Sequence, residues 1–304
     1  MRRGLVVTFV ILVAVIVGGA LYASTHPQKA QNRQLQVVAA ENFWGSLISQ
    51  IGGSKIHVTS IVSDPNADPH EYESNAADAR AVATANYVIM NGVGYDDWMG
   101  KLLGASPNSS RLTLNIANLV GVKGGQNPHL WYDPSYVNTA TAAMEHNLIT
   151  LDPADRGYFL SHYAALQSKL AVYQDRTKSI SQQFAGTKVA ATEDIFSYLA
   201  QAAGLNLISP SEFIEAVSEG NDPPASSVVT FQQQLQSGQV KALVYNEQTV
   251  TLLTNSIKQL AAQQNIPIVG VTETIQPPDA SFEVWMNAEL IDLQNAFNAQ
   301  ALGR

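Results

Sequence analysis

The chain has 304 residues and a formal net charge of -8, from 17 basic and 25 acidic residues. With 46% hydrophobic and 14% charged residues it has apolar material for one large core or two smaller ones, which excludes wholesale disorder. The acidic balance argues against a nucleic-acid partner, and the absence of cysteine excludes disulfides, thiol catalysis and cysteine-type zinc sites.

Arg2 and Arg3 precede an apolar run, residues 4–23, in which Thr8 is the only clearly polar side chain. The run is long enough to cross a bilayer, longer than a usual signal-peptide core, and no convincing small-residue cleavage site follows it. Residues 1–24 therefore read as an N-terminal transmembrane helix, an uncleaved signal anchor, with a cleaved signal peptide as the alternative. The rest of the chain is then extracytoplasmic, held at the membrane in the first case and secreted or periplasmic in the second. Beyond Ala23 the balance is 15 basic to 25 acidic residues, a net charge of -10. Residues 25–34, polar and carrying Pro27, read as a spacer.

From Leu35 onward, strand-like and helical runs alternate. Strands are expected at 35–40, 56–62, 87–91 and 112–114, with helices near 44–51, 75–84 and 96–103. Such alternation predicts α/β architecture with a mainly parallel sheet flanked by helices. Asp133-Pro134 and Asp152-Pro153 each pair a helix N-cap with proline at the first helical position. After the second, Phe159, Tyr163, Leu166, Leu170, Tyr173, Thr177, Ile180 and Phe184 recur alternately four and three apart, one continuous helical face. Two readings fit this stretch: a packed helical hairpin with 134–150, or a rigid strut between two lobes. Beyond Gly186 alternation resumes, with strands expected at 187–191, 205–209, 240–245 and 267–271. Helices are expected at 195–203, 226–236, 251–264 and 283–297. The organisation expected is a first lobe over 35–151, a linking helix over 152–186 and a second lobe over 187–304.

Four side chains stand at or beyond expected strand ends: His70, His129, Glu193 and Glu273. In open α/β sheets ligands bind outside the carboxyl ends of the strands, so facing lobes would bring these four together. Two imidazoles and two carboxylates suit a divalent transition metal. Each has an ordinary explanation when taken alone. A loop histidine is often merely solvated, and a carboxylate before a helix favours the positive end of its dipole. Asp133 reads as an N-cap or, alternatively, as the acceptor that orients the His129 ring. There is no HExxH motif, no P-loop and no complete dinucleotide fingerprint. An enzyme is not expected. A metal-dependent hydrolase would need an open coordination position and a general base, and an adhesive or structural surface protein is the other alternative.

Read together, DPHEYE (68–73), NPHLWYDP (127–134), ATEDIFSYLAQAAGL (191–205), and VYNEQ followed by PIVGVTETIQPP (244–278) resemble the zinc/manganese-type solute-binding proteins of ABC importers, the metal-binding, adhesin-like cluster. The resemblance maps the family's four ligands onto His70, His129, Glu193 and Glu273. It implies two lobes joined by one long rigid helix, a monomer, and delivery of Mn2+ or Zn2+ cargo to a permease served by a separate ATPase. The chain departs from the family pattern in having no cysteine to carry a lipid, a role the N-terminal helix would take. Glu193 replaces the histidine frequent in zinc-dedicated members, and no His/Asp-rich run surrounds 123–126. Glu273 replaces a more frequent aspartate. Within the family, glutamate at the third position goes with manganese, so Mn2+ is expected over Zn2+.

Overall fold

The structure, a computed structural model, describes residues 34–64 and 72–302. The apolar run at 4–23 lies outside the described residues. Among the described residues no helix is long and apolar enough to cross a membrane.

The first half alternates β1 (Leu35–Glu41), α1 (Asn42–Gly52), β2 (Ile56–Val62), α2 (Ala76–Thr84), β3 (Tyr87–Met90), α3 (Asp97–Ala105), β4 (Leu112–Asn115) and α4 (Ile116–Val120). Its four strands form a parallel sheet in the order β2-β1-β3-β4. A 3-10 turn, Leu130–Tyr132, leads into α5 (Pro134–Leu151), and a second, Pro153–Asp155, into α6 (Arg156–Phe184). The second half runs β5 (Lys188–Ala191), α7 (Ser197–Ala202), β6 (Asn206–Leu207), α8 (Ser211–Ser218), α9 (Ala225–Gln236), β7 (Leu243–Asn246), α10 (Leu252–Gln263), β8 (Ile268–Val271) and α11 (Phe282–Leu302). Its strands are again parallel, in the order β6-β5-β7-β8. We call each sheet with its helices a lobe.

Burial explains why the strands were legible. β3 and β7 are buried at every position, and parallel strands covered on both faces read as apolar runs. The helix ends follow local chemistry. The Asn75 side chain and Asp78 form a capping box at α2, and Asp133 accepts from the Ser135 and Tyr136 amides at α5. The edge strand expected over 205–209 contracts to two paired residues. The short helices α4 and α8 were not expected.

α6 is one 29-residue helix, about 43 Å long at 1.5 Å per residue. Phe159, Leu166, Leu170, Tyr173, Thr177 and Ile180 are all buried on the face read from the sequence. That face packs on α1 and α5 of the first lobe and on α7 and α11 of the second. One hydrophobic core therefore runs from Val37 and Ile89 through Leu170 to Val244 and Val269.

At the end of β3 the backbone turns through three left-handed residues: Gly92 (φ 83°), Val93 (φ 58°) and Gly94 (φ 86°). Gly92 is needed there, since a Cβ would lie 2.6 Å from Asn115 Oδ1. Val93 is β-branched, and that region is costly for it. The turn delivers Tyr95 and Asp96 to the carboxyl edge of the sheet.

Leu170→Ala should expose the dependence of both lobes on α6. The side chain is fully buried in the shared core, so the change should cost about 2–5 kcal/mol of unfolding free energy. Denaturant titration checks this. A loss well below that range would mean that the face is not a close-packed seam.

Candidate metal centre

Three of the four expected ligands meet at the carboxyl edges of the two sheets. His129 stands just before the 3-10 turn Leu130–Tyr132, in the first lobe. Glu193 follows β5 and Glu273 follows β8, in the second. All three are buried. His129 Nε2 lies 3.8 Å from Glu193 Oε1 and 3.9 Å from Glu273 Oε2. The fourth expected ligand, His70, lies outside the described residues.

The ring of His129 is oriented from its other nitrogen. Nδ1 sits 2.9 Å from Asn127 Oδ1 and 3.0 Å from Asp194 Oδ1. Asn127 is itself fixed, because its Nδ2 donates to the Asp194 carbonyl and its Oδ1 accepts from the His129 amide. With two acceptors beside Nδ1, the proton belongs there and Nε2 faces the carboxylates. Of the two readings of Asp133, the structure shows the N-cap. Its Oδ1 accepts from the Ser135 amide and hydroxyl and from the Tyr136 amide, so it is committed to capping α5. Asp194 is the carboxylate at the ring. In the sequence it marks only the start of a helical turn, which the structure places at Asp194–Phe196.

The two glutamates are joined by Asn246, the last residue of β7. Its Nδ2 donates to Glu193 Oε2 and, over 2.8 Å, to Glu273 Oε1. An amide nitrogen has two hydrogens, so one group satisfies one oxygen of each carboxylate and leaves the other turned toward His129. Thr249 Oγ1 adds a longer contact of 3.3 Å to Glu273 Oε1. Gln248 Oε1 accepts from the Glu273 amide at 2.6 Å. Tyr95 reaches across from the first lobe and donates to Glu273 Oε2 over 2.7 Å. Asn246 and Gln248 belong to the VYNEQ segment, but their roles depend on contacts between strands that no local spacing announces.

The electrostatics follow from burial. Desolvation lowers the His129 pKa, but the adjacent Asp194, then Glu273 and Glu193, outweigh it and hold the imidazole above its ordinary value. Tyr95 is pushed well up by burial and by Glu273, so it stays a neutral donor. At the end of β1, burial and then the neighbouring Asp96 raise Glu41 well above the carboxylate range. Asp96 in turn accepts from the Asn91 and Gly92 amides at 2.6 and 2.8 Å. An aromatic wall closes the first-lobe side. Trp131 packs edge-on to His129 with centroids 5.2 Å apart, and Phe43 stacks on Trp131 at 4.0 Å.

His129, Glu193 and Asp194 each offer a ligand atom within 4.8 Å of the others. A cleft of about 670 Å³ approaches this group between loops of the two lobes, lined by Tyr95, Asn127, Asp194, Tyr198 and Glu215 among others. Chemically, the arrangement presents one imidazole nitrogen and several carboxylate oxygens around a buried, pre-oriented point, a donor set suited to a divalent cation.

The family model described as ZnuA, zinc-uptake complex component A periplasmic, matches residues 37–296. The chain is 24% identical over 265 residues to the metal ABC transporter substrate-binding lipoprotein FimA of Streptococcus parasanguinis, covering 82% of this chain and 83% of that one. It is also 24% identical over 241 residues to the manganese-binding lipoprotein MntA of Halalkalibacterium halodurans, covering 75% and 77%. Among solved structures, the periplasmic zinc-binding protein TroA of Treponema pallidum superposes with a TM-score of 0.71 at 17% identity, covering 88% of this chain and 99% of that one. FpvC of Pseudomonas aeruginosa in complex with Mn2+ superposes at 0.73 with 20% identity, covering 88% and 100%. Since the match runs from β1 into α11 and takes in both sheets, the chain belongs to the ZnuA family of metal-binding substrate-binding proteins of ABC importers.

Proposed function

We propose that this protein captures a divalent transition metal between its two lobes, outside the cytoplasm, and hands it to an ABC permease driven by a separate ATPase. The observation that carries this reading is the burial of His129 Nε2 against Glu193 and Glu273, drawn from opposite lobes and with 3.8 and 3.9 Å gaps. Gaps of that size between a ring nitrogen and two carboxylate oxygens leave room for an ion bonded to all of them at about 2.0–2.2 Å. His70 completes the set as the fourth ligand. Asp194 faces Nδ1, the side of the ring turned away from those glutamates, and acts by orienting His129.

Two carboxylates and two imidazoles offset the charge of a divalent ion and make a harder donor set than one richer in histidine, which favours Mn2+ as cargo. Zinc binds most such sites more tightly, and relatives are named for manganese and for iron, so specificity depends on which metal is available and which one the permease accepts. The relatives named lipoproteins carry a membrane attachment in their name. Here the apolar run at 4–23 does that work and keeps the lobes near the permease.

Metal and proton compete for the Nε2 lone pair. A histidine held above its ordinary pKa in the metal-free fold contributes stability below the unfolded value of about 6.5, and loses it as pH rises through the folded value. The metal replaces that contribution at neutral pH.

Elemental analysis and competition titration of the full chain should find one equivalent of Mn2+ or Zn2+. His129→Ala should weaken binding by at least about 100-fold, and Asp194→Asn by about 10–100-fold. Wild-type protein without stoichiometric metal would overturn the capture reading. Calorimetry at pH 6–7 in buffers of different ionisation enthalpy should show about one proton released per metal bound, and affinity falling as pH drops. Binding that releases no proton would place the metal away from His129.

A further inference from the structure

Tyr132, Thr272 and Glu289 form a ring of hydrogen bonds between the lobes. Tyr132 lies three residues past His129. Thr272 immediately precedes Glu273, and Glu289 projects from α11. Tyr132 Oη is 2.9 Å from the Thr272 carbonyl oxygen and 2.8 Å from Glu289 Oε2. Glu289 Oε1 accepts from the Thr272 amide at 3.1 Å. All three residues are buried.

Counting hydrogens locates a proton. A phenol has one O–H, yet Tyr132 faces two oxygens at hydrogen-bond distance. The Thr272 carbonyl can only accept. If Glu289 were ionised it too could only accept, and one of the two short contacts would set lone pairs against lone pairs. With a proton on Glu289 Oε2, every contact has a donor. The acid donates to Tyr132, Tyr132 donates to the Thr272 carbonyl, and the Thr272 amide donates back to Oε1. No lysine, arginine or histidine pairs with Glu289 among the described residues. The titratable groups facing it are Tyr132 and, at longer range, Glu247, and neither supplies a positive charge.

We infer that Glu289 is a neutral carboxylic acid which, through Tyr132 and Thr272, ties the segment bearing His129 to the segment bearing Glu273, and so sets the distance between those two ligands. It is a positioning residue, and this role rests on the metal-capture reading above. Burial supports the neutral form, pushing the Glu289 pKa up to about 8. Trp285 Nε1 donates to Thr272 Oγ1 at 3.0 Å and holds the same segment from the next turn of α11.

The test uses the full chain and its Glu289→Gln, Glu289→Ala and Tyr132→Phe variants. Glutamine reproduces the neutral acid's pattern, an amide donor toward Tyr132 and a carbonyl toward the Thr272 amide. Infrared spectra of the metal-free protein at pH 6–7 should show a neutral-acid carbonyl band that Glu289→Gln removes. The raised pKa means that Glu289 stabilises the fold fully below its unfolded value of 4.5 and loses this as pH rises through about 8. Glu289→Gln should flatten that part of the melting-temperature profile. In Mn2+ titrations Glu289→Gln should stay within about twofold of wild type, while Tyr132→Phe and Glu289→Ala weaken binding by about 10-fold or more. An unchanged infrared spectrum in Glu289→Gln would overturn the neutral acid. Wild-type affinity in both Tyr132→Phe and Glu289→Ala would overturn the positioning role. Should Glu289→Ala fail to fold, Tyr132→Phe against Glu289→Gln decides. Failure of the wild type to bind Mn2+ or Zn2+ would instead remove the capture reading and the positioning role with it, and the infrared comparison would still decide the proton.

Discussion

Two buried carboxylates pointed at one spot repel each other, and the arrangement around the site answers that constraint. Asn246 grips one oxygen of each, Tyr95 and Thr249 donate to Glu273, and the same carboxylates help to hold the His129 pKa above its ordinary value. If both carboxylates are ionised, the negative potential they create is one that a doubly charged ion would relieve. Affinity on this view comes from a repulsion built in before the metal arrives.

That preparation requires two lobes to agree on ångström-scale distances. The strands of each sheet end at its cleft edge, so the short segments after β5, β7 and β8 and the one before α5 carry the donors directly. The shared core and α6 hold the sheets in register from behind. The ring of Tyr132, Thr272 and Glu289 does so from beside His129 and Glu273. A polar clamp suits this place better than an apolar contact, because its geometry is satisfied at only one separation.

The sequence made much of this readable, for identifiable reasons. Strands buried on both faces stand out as apolar runs, and the four-three spacing from Phe159 to Phe184 marked α6 and its buried face. His129, Glu193 and Glu273 stood out because each follows a strand or precedes a capped helix. Groups that act only across the fold were hidden. Asp194 looked like a helix start, Asn246 was one letter of the VYNEQ segment, and Tyr95 lies 178 residues from the carboxylate it serves. Asp133 shows the reverse difficulty. Its cap signal was plain and correct, and its nearness in sequence to His129 gave it an apparent second role that Asp194 fills. The short helices α4 and α8 were missed because five and eight residues hold too few turns to establish a period.

The unbroken core along α6 also bears on time. A 29-residue helix packed on both lobes cannot bend at its middle without opening a seam of fully buried side chains such as Phe159, Leu170 and Ile180. Motions between the lobes are therefore limited to small rocking and twisting, unlike the wide excursions of proteins hinged on flexible strands. On the capture reading proposed above, an ion held between lobes joined in this way would leave slowly, because opening would have to break that seam. Residence, more than capture rate, then sets how long cargo is retained. On that reading, unloading would require something outside the molecule to move the lobes apart.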